Sequence, residues 1–332
     1  MSSVNSVGEE VARKNEGGTD MGTTVSTSTN RNSEIEMVML ENISKVYYGN
    51  KINGNNSKVN SSRNSSTVLL EHIVLDNLNL RITKGEFVTI VGPSGCGKST
   101  LLNILAGIDT SYTGRILIDG APIEKSPDTD RIIIFQEGAL FPWLTVYENI
   151  DFGLKIAKIS KEKRREIVMH YIDMVQLTCF AHAFVHQLSG GMKQRVAVAR
   201  ALVLNPKILL MDEPFAALDV QTRRMLYDQL VRIHEKTNKT IIFVTHNINE
   251  AVALGDRAIV MSAKIAGIKK EFIIDLPRPR QLDHPLINSI TSAIIEESKE
   301  MYISDSSFTR NNINYRDDRP ELELGSLRPQ LA

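Results

Sequence analysis

The chain has 332 residues, 42% of them hydrophobic, with 39 Lys+Arg balanced by 39 Asp+Glu. That is enough apolar material for one large domain or two modest ones, and a formal charge of zero provides no electrostatic footprint for nucleic acid. No run approaches 18 apolar residues, two cysteines are too few for a disulfide framework, and no apolar signal region opens the sequence. A reducing cytosol is therefore expected, and any service to a membrane must pass through partners.

Residues 1–35 are rich in Ser, Thr, Asn, Gly and Glu and are expected to be a disordered tail. From Ile35 the pattern Ile-Glu-Met-Val-Met-Leu-Glu-Asn-Ile alternates like a half-buried strand. Residues 50–67 form a second polar, low-complexity segment, expected to be an inserted flexible loop. Strand patterning resumes over 68–70 and 73–82. Residues 87–91, Phe-Val-Thr-Ile-Val, then read as a buried strand.

A tight loop and a helix follow. Residues 92–100 (Gly92, Pro93, Ser94, Gly95, Cys96, Gly97, Lys98, Ser99 and Thr100) match G-x-x-x-x-G-K-[ST], the P-loop, between a strand and a helix. Its glycines let backbone N–H groups wrap phosphate oxygens, and the helix N-terminus adds its dipole. Lys98 is expected to reach the outer phosphates of a nucleoside triphosphate and Ser99 to ligate Mg²⁺. Cys96, at a helix N-terminus, is expected either to carry a lowered thiol pKa, so that its alkylation would block nucleotide binding, or to be simply a small tolerated side chain.

Beyond this helix, 114–120 and 131–135 read as strands, the second ending at Gln136. Residues 143–188 read as mostly helical, with Ile167, Val168, Tyr171, Ile172 and Val175 on one face of a 161–175 helix. A further helix opens at 188–195 and stops at Asn205-Pro206. Residues 207–212 form a buried strand ending in Asp212, 222–235 a helix, 240–245 a strand ending at His246, 248–254 a helix and 258–261 a strand. One last helix is expected within 281–303, and 304–332 is expected to be a loose tail. His170, His182, His186 and His234 lack metal-ligand spacing and read as ordinary residues.

In a parallel open sheet the strand C-termini share one edge, so Lys98/Ser99, Gln136, Asp212/Glu213 and His246 would meet around one triphosphate. Asp212 suits a second Mg²⁺ contact, Glu213 a general base for water, and His246 a group that orients that water or the γ-phosphate. Ser189 and Gly190-Gly191 open a helix and would form a second anion site.

The order of these segments resembles the ATP-binding subunit of an ABC transporter. The resemblance rests on 92–100 (Walker A), Gln136 (Q-loop) and Leu188-Ser-Gly-Gly-Met-Lys-Gln-Arg195 (signature). It also rests on 208–214 (Walker B), Ala217-Leu218-Asp219 (D-loop) and Thr245-His246 (H-loop). It implies an α/β fold: a P-loop NTPase core of the ABC ATPase type over 36–280, with an antiparallel β subdomain and a helical subdomain inserted over 137–190.

It also implies ATP and Mg²⁺ as cofactors, with Gln136 a further metal contact, Asp219 a nucleotide-site residue, and Tyr47, with Tyr48 as the alternative, stacking on adenine. By the same resemblance a second copy of the chain completes a head-to-tail ATP sandwich dimer at the cytoplasmic face of a membrane. Integral membrane permease subunits are the direct partners, an extracytoplasmic solute-binding protein is an indirect one, and nucleic acid is not a partner.

Residues 137–150, with Phe141 and Trp143, and Leu276-Pro-Arg-Pro-Arg280 resemble the nitrate/sulfonate/taurine (bicarbonate) importer branch. Importers of pyrimidine-type vitamin precursors share these features, and Ala-Lys-Ile-Ala-Gly at 263–267 departs from the Arg-Pro-Gly turn of the branch. The apolar 137–150 loop suits either a partner surface or internal packing. A structural DNA-associated ATPase head would need long heptad repeats between Walker A and signature, and none is present. A translation-type relative would carry two cassettes, and an exporter a fused membrane domain.

Overall fold

The computed structural model describes residues 35–50, 69–124, 126–136, 139–216, 218–280 and 284–308. Apart from Ile35 and Asn50, the expectations for 1–35 and 50–67 lie outside the described residues, as do those for Ala217 and 309–332.

Two sheets organise the chain. In the first, antiparallel strands β1 (Glu36–Asn50), β2 (Leu69–Thr83), β4 (Thr113–Ile118) and β5 (Ala121–Pro122) run in the order β2-β1-β4-β5. In the second, β3 (Phe87–Val91), β6 (Arg131–Ile134), β7 (Ile208–Asp212), β8 (Thr240–Thr245), β9 (Arg257–Ser262) and β10 (Gly267–Ile273) take the order β10-β9-β3-β8-β7-β6. All pairings there are parallel except β9–β10.

The helices are α1 (Lys98–Leu105), α2 (Val146–Ile156), α3 (Lys161–Met174), α4 (Gly190–Leu202), α5 (Val220–Thr237), α6 (Ile248–Leu254) and α7 (Pro285–Phe308).

The central strands are apolar throughout because both faces of their sheet are covered. Side chains alternate across that sheet with the two-residue period of a strand. Leu210, Ile242 and Val88 face α1 and the antiparallel sheet, packing with Leu101, Leu102, Leu40 and Ile82. Phe87, Leu209, Met211 and Phe243 face the other way, into the core shared with α2, α4 and α5.

The 143–188 stretch resolves into two α-helices and two single 3₁₀ turns (Thr178–Phe180 and Val185–Gln187). α2 starts at a capping box in which Thr145 accepts from the Glu148 N–H and Glu148 accepts from the Thr145 N–H. α4 packs on α2 and α3 as well as on β6, so the helical layer extends beyond residue 190.

Three further departures have physical reasons. The strand patterns at 68–70 and 73–82 belong to one strand, β2, because β1 pairs with it from Glu36↔Thr83 to Asn50↔Leu69. β10 went unread because Gly-Ile-Lys-Lys-Glu-Phe-Ile is an edge strand whose burial is mostly partial. α7 begins at Pro285 and continues through Phe308, past the expected stop at 303, with Ile287 and Ile294 buried against β9, β10 and α6. Among the described residues, no helix is long and apolar enough to cross a membrane.

Candidate active site

The C-terminal ends of β3, β8, β7 and β6 lie side by side, and each hands over to a residue singled out by the sequence. After β3 the chain turns through Gly92, Pro93, Ser94, Gly95 and Cys96 into Gly97, the N-cap of α1. Gly97 has φ +98°, and a Cβ there would lie 2.9 Å from the Val74 carbonyl oxygen and 2.8 Å from Leu75 Cδ2, so only glycine fits without strain. Lys98 is buried, and its ammonium donates to the carbonyls of Gly92 and Pro93, both at 2.9 Å. The lysine thus braces the loop it belongs to. Thr100 follows in the first turn of α1.

Of the two readings of Cys96, the structure favours the small packed side chain. Its side chain is buried, and desolvation pushes the thiol pKa up despite the charge of Lys98 and the nearby backbone N–H groups. The favourable helix end is outweighed by loss of water, so Cys96 packs as a small apolar residue rather than reacting as a thiolate.

Ser99 Oγ donates to Asp212 Oδ1 at 3.1 Å, so the last residue of β7 meets the start of α1. Burial raises the Asp212 pKa, as does the charge of Glu213, while the Ser99 bond and Lys98 act against it. Hydroxyl and carboxylate oxygens at this separation are a hard-oxygen donor set. This matches Mg²⁺, which takes one or two protein oxygens and completes its shell with water and phosphate.

Glu213 departs from ordinary backbone geometry. Its φ of +45° is strained for a glutamate, and it is held by an N–H bond to the Val244 carbonyl at 3.0 Å. The turn directs its carboxylate to His246, whose Nδ1 lies 2.8 Å from Glu213 Oε2. An ionised carboxylate only accepts, so this bond places a proton on Nδ1 and leaves Nε2 as the acceptor nitrogen of the ring. Gln136 stands exposed just past β6, at the same sheet edge.

Other sequence-predicted residues sit on separate elements. Ser189 caps α4, accepting from the Met192 N–H at 3.3 Å. It is exposed together with Gly190, whereas Gly191 is buried. A Cβ on Gly191 would come within 2.3 Å of Thr222 Cγ2, so the signature helix and α5 touch there. Asp219 caps α5, accepting from Gln221 and Thr222 N–H groups at 3.1 and 3.0 Å, and bonding to Thr222 and these amides hold its pKa down. Tyr47 and Tyr48 are both exposed near the end of β1. Tyr47 is tethered: its hydroxyl donates to Asp109 Oδ2 at 3.1 Å, and Lys45 Nζ stands 4.7 Å from its ring centroid.

Sequence reasoning missed the Lys45–Asp109 ion pair (2.7 Å) that fixes Tyr47, although Lys45, two residues earlier, shares its strand face. It also missed a buried group around Glu250, whose partners Tyr227 and Arg223 lie on α5. No local pattern marks residues that distant in sequence.

The comparisons agree with this geometry. A family model described as "ABC transporter" matches residues 75–216. The nitrate import ATP-binding protein of Synechocystis is 46% identical over 205 residues, which are 62% of this chain and 77% of that protein. The aliphatic sulfonates import ATP-binding protein of Bacillus cereus is 46% identical over 225 residues, 68% of this chain and 88% of that one.

The chain belongs to the ABC transporter ATP-binding family.

A solved ATP-binding cassette, dimeric in a post-hydrolysis state with ADP and Pi, superposes with a TM-score of 0.58 at 35% identity, covering 73% of this chain and all of that one. A second family model, described as "AAA domain, putative AbiEii toxin, Type IV TA system", matches residues 185–253, the signature-to-H-loop part of the ABC cassette. As an ABC ATPase the chain hydrolyses ATP, and its fold is the α/β P-loop cassette expected from the sequence.

Proposed function

We propose that this ABC ATPase energises import of a small oxyanion of the nitrate or sulfonate type by a membrane permease. The support is the 46% identity to nitrate and aliphatic sulfonate import subunits, together with the Leu276-Pro-Arg-Pro-Arg280 segment. The observation that carries the hydrolytic mechanism is the contact between Glu213 and His246 at 2.8 Å, beside Ser99 and Asp212.

In this reading the loop 92–100 binds the phosphates through its N–H groups and Lys98, and Tyr47 supports the base. Ser99, Asp212 and Gln136 would hold Mg²⁺, which neutralises phosphate charge when bound. Glu213 accepts the proton of the attacking water, and His246, held through Nδ1, orients that water through Nε2, the acceptor nitrogen of the ring. Ser189, Gly190 and Gly191, with Asp219 behind them, face the nucleotide of a second copy, an arrangement supported by the dimeric state of the solved relative.

The permease would dock in a cleft of about 360 Å³ lined by Ile132, Phe141, Phe152, Ile156, Arg200 and Leu204. Phe141 is packed, 4.5 Å from Phe152 and under the Arg200 guanidinium, whereas Trp143 is 69% exposed beside it. Asn149 fixes this rim by bonding the Phe141 N–H and the carbonyls of Phe141, Leu144 and Thr145. That docking places the chain peripherally at the cytoplasmic side of the membrane, with an extracytoplasmic solute-binding protein beyond the permease.

Glu213→Gln tests the mechanism. ATP binding should persist, ATP-dependent dimers should accumulate, and turnover should fall at least about 100-fold. Near-normal turnover would refute the general-base role.

A further inference from the structure

Glu250 is a buried carboxylate, 3% exposed, that no step above uses. Two hydroxyls donate to its oxygens and one guanidinium stands near them. Tyr227 on α5 donates to Oε1 at 2.9 Å, Arg223 one turn earlier stands 3.6 Å from the same oxygen, and the Thr245 hydroxyl at the end of β8 donates to Oε2.

The far ends of this group matter more than its centre. Arg223 Nη2 donates at 2.9 Å to the carbonyl of Leu218, the residue before the α5 cap Asp219. Thr245 immediately precedes His246 and also accepts the Asn247 N–H at 3.0 Å, fixing the turn on which His246 sits. His246 in turn bonds Glu213. A line of contacts therefore runs from Leu218 to the Arg223 guanidinium, across its 3.6 Å ion pair with Glu250 and the Glu250–Thr245 hydrogen bond, and then along the backbone from Thr245 to His246, which bonds Glu213.

We propose that Glu250 is a positioning residue for hydrolysis, setting His246 against Glu213 and tying that pair to the Leu218–Asp219 loop. It rests on the reading of Glu213 and His246 as the hydrolytic pair. A carboxylate with donors on both oxygens admits few orientations, and its helix, α6, starts directly after the His246–Asn247 turn. Displacement of Leu218 moves Arg223, and Arg223 is tied by charge to the group that holds Thr245. Burial raises the Tyr227 phenol pKa, and the Glu250 charge and hydrogen bond raise it further, so the phenol stays a donor.

The test compares steady-state ATPase kinetics of full-length Glu250→Gln, His246→Ala and the double variant, with Thr245→Val and Thr245→Ser alongside. Glu250→Gln should lower kcat about ten-fold with KM for ATP within about two-fold, because binding is untouched. The double variant should be no slower than His246→Ala alone, since Glu250 acts through His246. Thr245→Val should repeat the loss and Thr245→Ser should restore it.

Independent, multiplying losses in the double variant would overturn the proposal, as would a full kcat for Glu250→Gln. A merely structural role would lower the melting temperature and the active fraction while leaving kcat per active site intact; that result also overturns it. Normal turnover in Glu213→Gln would instead remove the hydrolytic reading itself. Should Glu250→Gln fail to fold, the Thr245 pair and Tyr227→Phe carry the same comparison.

Discussion

Replacing Arg280 with Met should loosen the seam between the C-terminal end of α6, the start of β9 and the end of β10, on the side of the sheet opposite His246. The guanidinium donates to four backbone carbonyls: Val252 (2.8 Å) and Gly255 at the end of α6, Ile274 (2.9 Å) just past β10, and Leu276 (3.1 Å). At about 1 kcal/mol net for each bond, four bonds contribute about 4 kcal/mol. Holding the guanidinium away from water opposes this, and its pKa is pushed down to about 10 by burial and by Arg278 beside it. Allowing that desolvation to offset half the gain leaves a net loss of about 2 kcal/mol on substitution.

For a chain of this size that corresponds to a melting temperature lower by about 4–8 °C, measured by calorimetry or circular dichroism. Hydrogen exchange should quicken at the Val252–Gly255 and Ile274–Leu276 amides before it does in β3. Arg280→Lys, a point charge without the planar fork, should recover less than half of the loss. A melting temperature within about 1 °C of the parent would refute the pinning role assigned to this side chain.

Lys98→Ala should weaken ATP binding at least about ten-fold in a fluorescent-nucleotide titration, because it removes the proposed phosphate contact together with the brace on the Gly92 and Pro93 carbonyls. In the folded chain near pH 8 an alkylating reagent should label exposed Cys179 and spare Cys96, with the second label appearing only in denaturant; rapid double labelling would contradict the burial of Cys96. Burial opposes ionisation of Asp109, but the Lys45, Ser111 and Tyr47 bonds outweigh it and hold the carboxyl below the usual range. Its contribution is therefore present above the ordinary carboxylate pKa and lost as pH falls through the lowered one, so Asp109→Asn should show a shallower stability loss below about pH 4 in acid titration.

The parts legible in the sequence were those whose chemistry is local. β3, β7 and β8 are continuous apolar runs because both faces are buried, and each ends at a residue type that phosphate or metal chemistry requires. The meeting of Ser99 with Asp212 and of Glu213 with His246 follows from parallel strand order, which puts distant residues on one edge. Cys96 stayed open in the sequence because a helix end and burial act oppositely on a thiol, and only packing decides between them. Arg280 was read as a family mark, while its four carbonyl partners show a mechanical task. The Glu250 group was invisible, since its members reach each other only after α5 folds back along β8.

The β1–β2 hairpin closes its register at Asn50 and Leu69, well beyond Lys45↔Leu75, where the Tyr47 anchor and the backing of the phosphate loop begin. Register at Tyr47 is held by the pairs on either side of it, from Lys45↔Leu75 to Asn50↔Leu69. A reporter domain grafted between Asn50 and Leu69 would ride on the strand that carries Tyr47. It would supply an optical readout of the transport cycle without altering a residue of the cassette itself.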